Sequence, residues 1–307
     1  MKLIKNVFRG LVYKHWTCIE SFAYFLKGIA RETKFLKNFF YKFHLKTQER
    51  KWTMVINSER VINFKGVLLP NIYVNIEYAD VTHAFEETFF IFLYHNDDYR
   101  VENFHYVEKI LRECPYGYID GTFNVTVQEN DVVIDAGAWI GDFSAYAAFK
   151  KAIVYAFEPL ESTYEFLKKT ASLNPNIIPV KYGLSNSVST SYMKNFMDGG
   201  LDNKIVSEGD ITNDCVLEEI KLTTIDNFVK ENNLQKVDFI KADIEGAERY
   251  MLLGAKETLR KFAPKLIICT YHLPDDKEIL KNIILEANPN YTIVQHTSKL
   301  FAQVLKH

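Results

Sequence analysis

The chain is 307 residues long, 48% apolar and 25% charged, with 13 Gly and 8 Pro. This globular composition excludes disorder, collagen and low-complexity chains, and the length allows one large domain or two ordinary ones. The net charge of -2 excludes a wholly basic nucleic-acid binder, and Cys18, Cys114, Cys215 and Cys269 form no CxxC pair, against a zinc ribbon, a thioredoxin-type site or a disulfide scaffold.

Residues 1–51 hold 12 Lys/Arg and 3 Asp/Glu, so the rest of the chain is acidic. Within them Phe22, Phe25, Leu26 and Ile29 recur at helical spacing. The expectation is a basic, aromatic helical arm. It suits an anionic membrane surface or a membrane-bound enzyme, and equally a cap packed on the rest of the chain. No RNA-binding motif accompanies it, and the acidic remainder argues against a nucleic-acid partner. No apolar run reaches the ~18 residues of a membrane span, and no signal peptide is read. The expected location is cytoplasmic, peripheral at the inner membrane face.

Residues 52–117 read as a small mixed α/β region, with short strands at 52–56, 61–64 and 72–76, turns at 57–59 and 69–71, and helix over 83–113 broken near 95–98. From 118 to 307 the rhythm becomes strand, helix, strand, helix. Strands are expected at 132–134, 153–157, 177–181, 237–241 and 266–270. Helices are expected up to 149 and over 162–172, 226–232, 245–261 and 275–287. Two closing antiparallel strands follow, at 291–296 and 301–306. This pattern predicts a doubly wound, mainly parallel sheet covered on both faces, with ligands beyond the carboxyl ends of its strands. The stretch 192–215 has weak periodicity and reads as a loop over the cleft that selects the acceptor.

Chemistry is therefore sought just after each strand. The first ends Asp135-Ala-Gly137-Ala-Trp139-Ile-Gly141. Where a dinucleotide fingerprint needs its middle glycine for the pyrophosphate stands Trp139, and Asp135 repels phosphate, so an NAD site is excluded. The same residues suit a cationic ligand without phosphates, such as S-adenosylmethionine, with Asp135 toward its amino acid end and Gly137 allowing close approach. Glu158-Pro159 follow the second strand, placed for a carboxylate that accepts from ribose hydroxyls. Tyr182, Gly183 and Leu184, after the third, are placed to flank an adenine. The fourth strand ends at Asp243 and Glu245, with Glu248 read as a helix-face residue. The fifth ends at His272, a base of suitable pKa for an alcohol, which Asp243 and Glu245 orient. Asp275 and Asp276 read as first-turn acids of the next helix. Asp243, Glu245 and His272 are of the types that hold a divalent metal, but the local spacing does not demand one and none is expected.

Between residues 118 and 276 the chain resembles the FkbM-type methyltransferases, a branch of the S-adenosylmethionine-dependent class I fold. The matching segments are DVVIDAGAWIGDFSAYAA (131–148), YAFEP (155–159), LTTIDNFV (222–229), VDFIKADIEGAERYMLLGAKETL (237–259) and LIICTYHLPDD (266–276). The resemblance implies a seven-stranded sheet with its last strand antiparallel. It implies S-adenosylmethionine as cofactor and methyl transfer to a hydroxyl of a sugar or a small secondary metabolite, the former in a cell-surface or lipid-linked glycan. Carried over by position, Asp135, Gly137, Gly141 and Glu158 bind the cofactor and Asp243 lies beside the transferring methyl. The rival readings are a non-catalytic scaffold docking through its arm and an N-methyltransferase. The adenine-type version of the latter calls for an Asn/Asp-Pro-Pro-aromatic run where this chain has Asp-Ile-Glu-Gly.

Overall fold

The computed structural model describes residues 53–56, 59–64, 66–70, 116–195, 205–206 and 216–305. The arm over 1–51 and the helix expected over 83–113 lie outside the described residues. The chain divides into two compact units, Met1–Thr53 with Ile72–His105 and Met54–Asn71 with Tyr106–His307. The site lies in the second.

Three short strands come first, β1 (Thr53–Ile56), β2 (Glu59–Phe64) and β3 (Val67–Pro70), forming one sheet in that order. The register Phe64↔Val67 puts a tight turn containing Gly66 between β2 and β3. The chain thus turns earlier than the 69–71 turn expected from sequence, because Gly66 supplies the positive φ that such a turn requires (φ 100°). A second hairpin joins β4 (Tyr118–Asp120) to β5 (Phe123–Val125).

The α/β body then runs β6 (Val132–Ala136), α1 (Asp142–Phe149), β7 (Ile153–Phe157), α2 (Glu161–Leu173) and β8 (Ile177–Val180). Next come four strands of a separate sheet: β9 (Gly183–Leu184), β10 (Ser189–Asn195), β11 (Ile205–Val206) and β12 (Val216–Thr223). The body resumes with α3 (Ile225–Glu231), β13 (Phe239–Ala242), α4 (Glu248–Leu253), α5 (Lys256–Phe262), β14 (Lys265–Cys269), α6 (Asp276–Ala287), β15 (Tyr291–His296) and β16 (Lys299–Val304).

The main sheet has seven strands in the order β15-β16-β14-β13-β6-β7-β8. Its pairs are parallel from β14 through β8, and β16 runs antiparallel to both β14 and β15. This is the class I methyltransferase arrangement that the resemblance implied, with the last strand reversed. Strands β6 and β13 are buried along their whole length, as apolar strands covered on both faces must be. One face of the sheet, through Ile134, Ile240 and Ile268, packs with Leu252, Leu259 and Ile284 of the helices into one core.

The sheet order reverses between β6 and β13, which stand side by side although far apart in sequence. The cleft beyond their carboxyl ends is the switch point where such folds bind ligands. Two differences from the sequence expectation bear on it. The stretch read as a loop is partly strand, since β10 pairs antiparallel with β12 over Ser189–Asn195 and Val216–Leu222. The single helix expected over 245–261 is two, α4 and α5, divided at Gly254. A Cβ there would stand 2.1 Å from the Ser185 carbonyl, so the break lets the segment after β9 come in close. Asp226 of α3 then caps the first turn of α5, accepting from the N–H groups of Glu257 (3.0 Å) and Thr258 (2.8 Å).

Candidate active site

Strand β6 brings Asp135 to the sheet's carboxyl end, and strand β13 brings Lys241 directly opposite it in register. Both are almost wholly buried and their charged ends lie 2.9 Å apart. Ser144 donates to the other carboxylate oxygen at 2.6 Å, and Lys241 donates to the Gly137 carbonyl at 2.7 Å. Burial alone would lower the lysine's pKa, but Asp135, Asp243 and Asp142 raise it above the ordinary lysine value. Asp135 is thus wholly buried at the end of β6, engaged with Lys241 and Ser144. Gly141 sits at the contact of α1 with Leu167 and Thr170 of α2.

The other expected cofactor residues line the cleft: Gly137, Trp139, Glu158, Pro159, Leu184 and Asp243. Gly137 has φ 71°, and a Cβ on it would stand 2.0 Å from the Asp243 carbonyl. The glycine is thus required by the approach of the loop after β13. Glu158 closes the opposite side. Its carboxylate accepts from Trp139 N–H (3.1 Å), Leu160 N–H (3.1 Å) and Thr163 Oγ1 (2.7 Å). Burial pushes its pKa up to about 7, against the pull of these donors. Asp142, at the start of α1, also lines the cleft, and burial pushes it up to about 6 against the pull of Lys241. Phe157, Leu160, Leu184 and Ile220 supply apolar wall. Carboxylates over apolar walls suit a cation-bearing nucleoside and oppose a pyrophosphate, so these residues fit S-adenosylmethionine.

Across the cleft, strands β13 and β14 bring Asp243, Glu245 and His272 together as the sequence anticipated. His272 Nε2 lies 3.5 Å from Asp243 Oδ1 and 3.4 Å from Glu245 Oε2. Tyr271 donates to Asp243 Oδ1 at 2.7 Å, and Tyr116 donates to Oδ2 at 3.1 Å. Glu245 and Gly246 both have positive φ, 55° and 98°, an uncommon conformation for glutamate. Glu248 explains how the turn holds. It is wholly buried, a helix-face residue turned into the protein. Its oxygens accept from the N–H groups of Ile244 (2.9 Å) and Gly246 (3.0 Å), and Oε1 stands 2.9 Å from His272 Nδ1.

Burial pulls the His272 pKa down, but Glu245 and Glu248 raise it overall to about 10. The imidazole by itself thus holds its proton at neutral pH, and the base role expected for a neutral His272 does not follow from the ring alone. Arg249 ties the two loops together, donating to Asp275 (2.8 Å) and Asp276 (2.7 Å) at the start of α6, while Asp276 accepts from Leu273 N–H (2.8 Å). Tyr116, Asp142, Lys241 and Glu248 are site residues that the sequence reading did not single out. For Lys241 a signal existed: a lone lysine in an apolar strand, matched by a lone aspartate in another.

The hexuronic acid methyltransferase AglP of Haloferax volcanii is 29% identical over 162 residues, which are 52% of this chain and 64% of that protein. This chain therefore matches a little under two thirds of that relative's length. The methyltransferase sdnD of Sordaria araneosa is 29% identical over 173 residues, 46% of this chain and 67% of that protein. A crystal structure of the methyltransferase FkbM from Methylobacillus flagellatus KT aligns with a TM-score of 0.46 and 21% identity, covering 75% of this chain and 63% of that one. The family model of the methyltransferase FkbM domain matches residues 135–295, more than half of the chain, and the chain belongs to that family.

Proposed function

We propose that this chain is an S-adenosylmethionine-dependent O-methyltransferase acting on a hydroxyl of a sugar, in a cell-surface or lipid-linked glycan. The observation that carries the reading is the pairing across one cleft of Glu158 with the Asp243–Glu245–His272 cluster. When bound, S-adenosylmethionine supplies an activated sulfonium methyl. The chain's own residues then have three tasks. Glu158 accepts from the ribose hydroxyls. The apolar wall at Leu184 and Ile220 flanks the base. The cluster on β13 and β14 orients the acceptor hydroxyl for in-line attack and takes up its proton as the O–CH3 bond forms and the S–CH3 bond breaks. Positioning supplies most of the acceleration, because the methyl donor is already activated.

The sugar acceptor is supported by the name of the Haloferax relative, which methylates a hexuronic acid. The basic composition of residues 1–51 supports work at an anionic membrane, where lipid-linked glycans are found, on the cytoplasmic side. Among the described residues no helix is long and apolar enough to cross a membrane.

Isothermal titration with S-adenosylmethionine and S-adenosylhomocysteine tests the cofactor half, and Glu158→Ala should weaken both. Turnover is then followed by S-adenosylhomocysteine release with uronic-acid oligosaccharides and with neutral sugars. Cofactor binding with turnover only on small non-sugar alcohols would move the reading to a secondary-metabolite enzyme. Failure to bind either ligand would favour the scaffold reading.

A further inference from the structure

Three ligand atoms at the ends of β13 and β14 face one point. Asp243 Oδ1, Glu245 Oε2 and His272 Nε2 all lie within 4.8 Å of one another. The nitrogen is 3.5 Å and 3.4 Å from the two oxygens. Two donors that each bind a shared cation at about 2.1 Å stand about 3.0–3.5 Å apart. The cluster therefore needs little movement to close on an ion, which takes the place of the proton on Nε2.

A second observation is independent of the carboxylates. The His272 side chain is only 4% exposed, and its Nε2 makes no hydrogen bond. A buried polar nitrogen left in that state is costly unless something else binds it. The far side of the ring explains its orientation, since Nδ1 rests 2.9 Å from the wholly buried carboxylate of Glu248. A carboxylate that fixes one ring nitrogen and turns the other forward is the usual support of a metal-binding histidine. Asp243 is supported in the same way, by the hydroxyls of Tyr271 and Tyr116.

We propose that Asp243, Glu245 and His272 bind a divalent cation of the Mn2+ or Mg2+ class, and that hydroxyls of the acceptor complete its coordination. Two carboxylates and one imidazole form a mainly oxygen donor set, which suits such ions and offers nothing to a thiolate-seeking metal. Three protein ligands leave positions open for substrate. A hydroxyl bound to the cation is acidified, which eases the loss of its proton to the carboxylates of the cluster. The cation also lets an anionic sugar approach a mouth otherwise lined by carboxylates. The role toward the acceptor rests on the methyl-transfer reading, whereas cation binding stands apart from it.

The test uses the full chain, freed of metal by chelation and titrated with Mn2+ by calorimetry and by electron paramagnetic resonance of the free ion. The expected result is one site, lost in His272→Ala and Asp243→Asn and at least tenfold weaker in Glu245→Gln. Glu248→Gln should weaken binding about 10–100-fold, the usual effect of removing such a support. Glu257→Gln, on the exposed side of α5, should leave binding unchanged. Circular dichroism identifies any variant that fails to fold, and Glu245, with its side chain 22% exposed, is the substitution the fold tolerates best. A folded wild-type chain that takes up no Mn2+, or uptake that the Glu245 variant retains in full, would overturn the site. S-adenosylmethionine binding is measured on the same samples. Mn2+ binding without cofactor binding keeps the cation site and overturns methyl transfer, and cofactor binding without Mn2+ binding does the reverse.

Discussion

The two walls of the cleft are built on opposite plans. On the β6–β7 wall each carboxylate already has its partners inside the protein. Asp135 has Lys241 and Ser144, and Glu158 has two backbone N–H groups and a threonine hydroxyl. On the β13–β14 wall Asp243, Glu245 and Glu248 converge on a single imidazole, with no lysine or arginine paired to any of the three among the described residues. The first wall is electrostatically complete and suits holding a ligand of fixed shape. The second keeps negative charge in excess, as expected where a hydroxyl proton is to be lost. On the proposed function, the difference separates a binding surface from a reacting surface within one cleft.

Breaking the reacting wall should give the largest effect. Asp243→Asn keeps the shape and both tyrosine hydroxyls nearby but removes the charge. Turnover should fall about 10²–10⁴-fold, the range for a group that handles the proton, with S-adenosylhomocysteine affinity changed far less. Equal losses in both would mean that Asp243 belongs to the binding wall.

The completeness of the other wall is tested by Lys241→Met. It leaves Asp135 buried and unpaired, which costs about 3–5 kcal/mol. Urea unfolding should show that loss, and Asp135→Asn added to Lys241→Met should recover part of it. Additive losses would show that the two charges are not coupled.

Gly137→Ala joins the two walls, because its Cβ would strike the Asp243 carbonyl at a backbone φ of 71°. A destabilisation above about 1 kcal/mol is expected, together with a drop in turnover as the β13 loop shifts. Full activity would show that the loop gives way freely.

The smallest effect is a pH dependence confined to the binding wall. Glu158 has its pKa raised to about 7 by burial. Below that pH it is increasingly protonated and loses acceptor capacity toward ribose hydroxyls. Above it the carboxylate is charged and accepts from both. The sign for the fold is the opposite: a raised acid pKa makes the native state the better proton binder, so this group's contribution to stability falls as pH rises from its ordinary range through about 7. S-adenosylmethionine affinity should therefore rise a few-fold from pH 6 to pH 8, and Glu158→Gln should flatten the trend. A slope that persists in the variant would assign it elsewhere.

Much of the α/β body was legible because its signal is strong: short apolar strands alternating with helices of definite length. The meeting of Asp243 with His272 was legible for the same reason, since both follow strands of one parallel sheet. What stayed hidden depends on partners distant in sequence. Strand β10, STSYMKN, has no apolar alternation and exists as a strand through its pairing with β12. Glu248 read as no more than a helix-face residue because its role, satisfying the N–H groups of Ile244 and Gly246, appears only once the chain bends at Glu245. The pairing of Asp135 with Lys241 stayed hidden because it depends on a cross-strand register between segments a hundred residues apart.

That register also limits how the protein can change over generations. The two buried charges sit opposite each other on neighbouring strands, encoded more than a hundred codons apart. Losing either one alone passes through a form with a stranded charge in the core, so the pair is inherited together or exchanged through a rare double change. Variation in acceptor choice therefore has its freest route at the outer rim, among exposed side chains such as Tyr182 and Leu273 that carry no such tie. The platform beneath them is held constant by a debt that neither residue can settle alone.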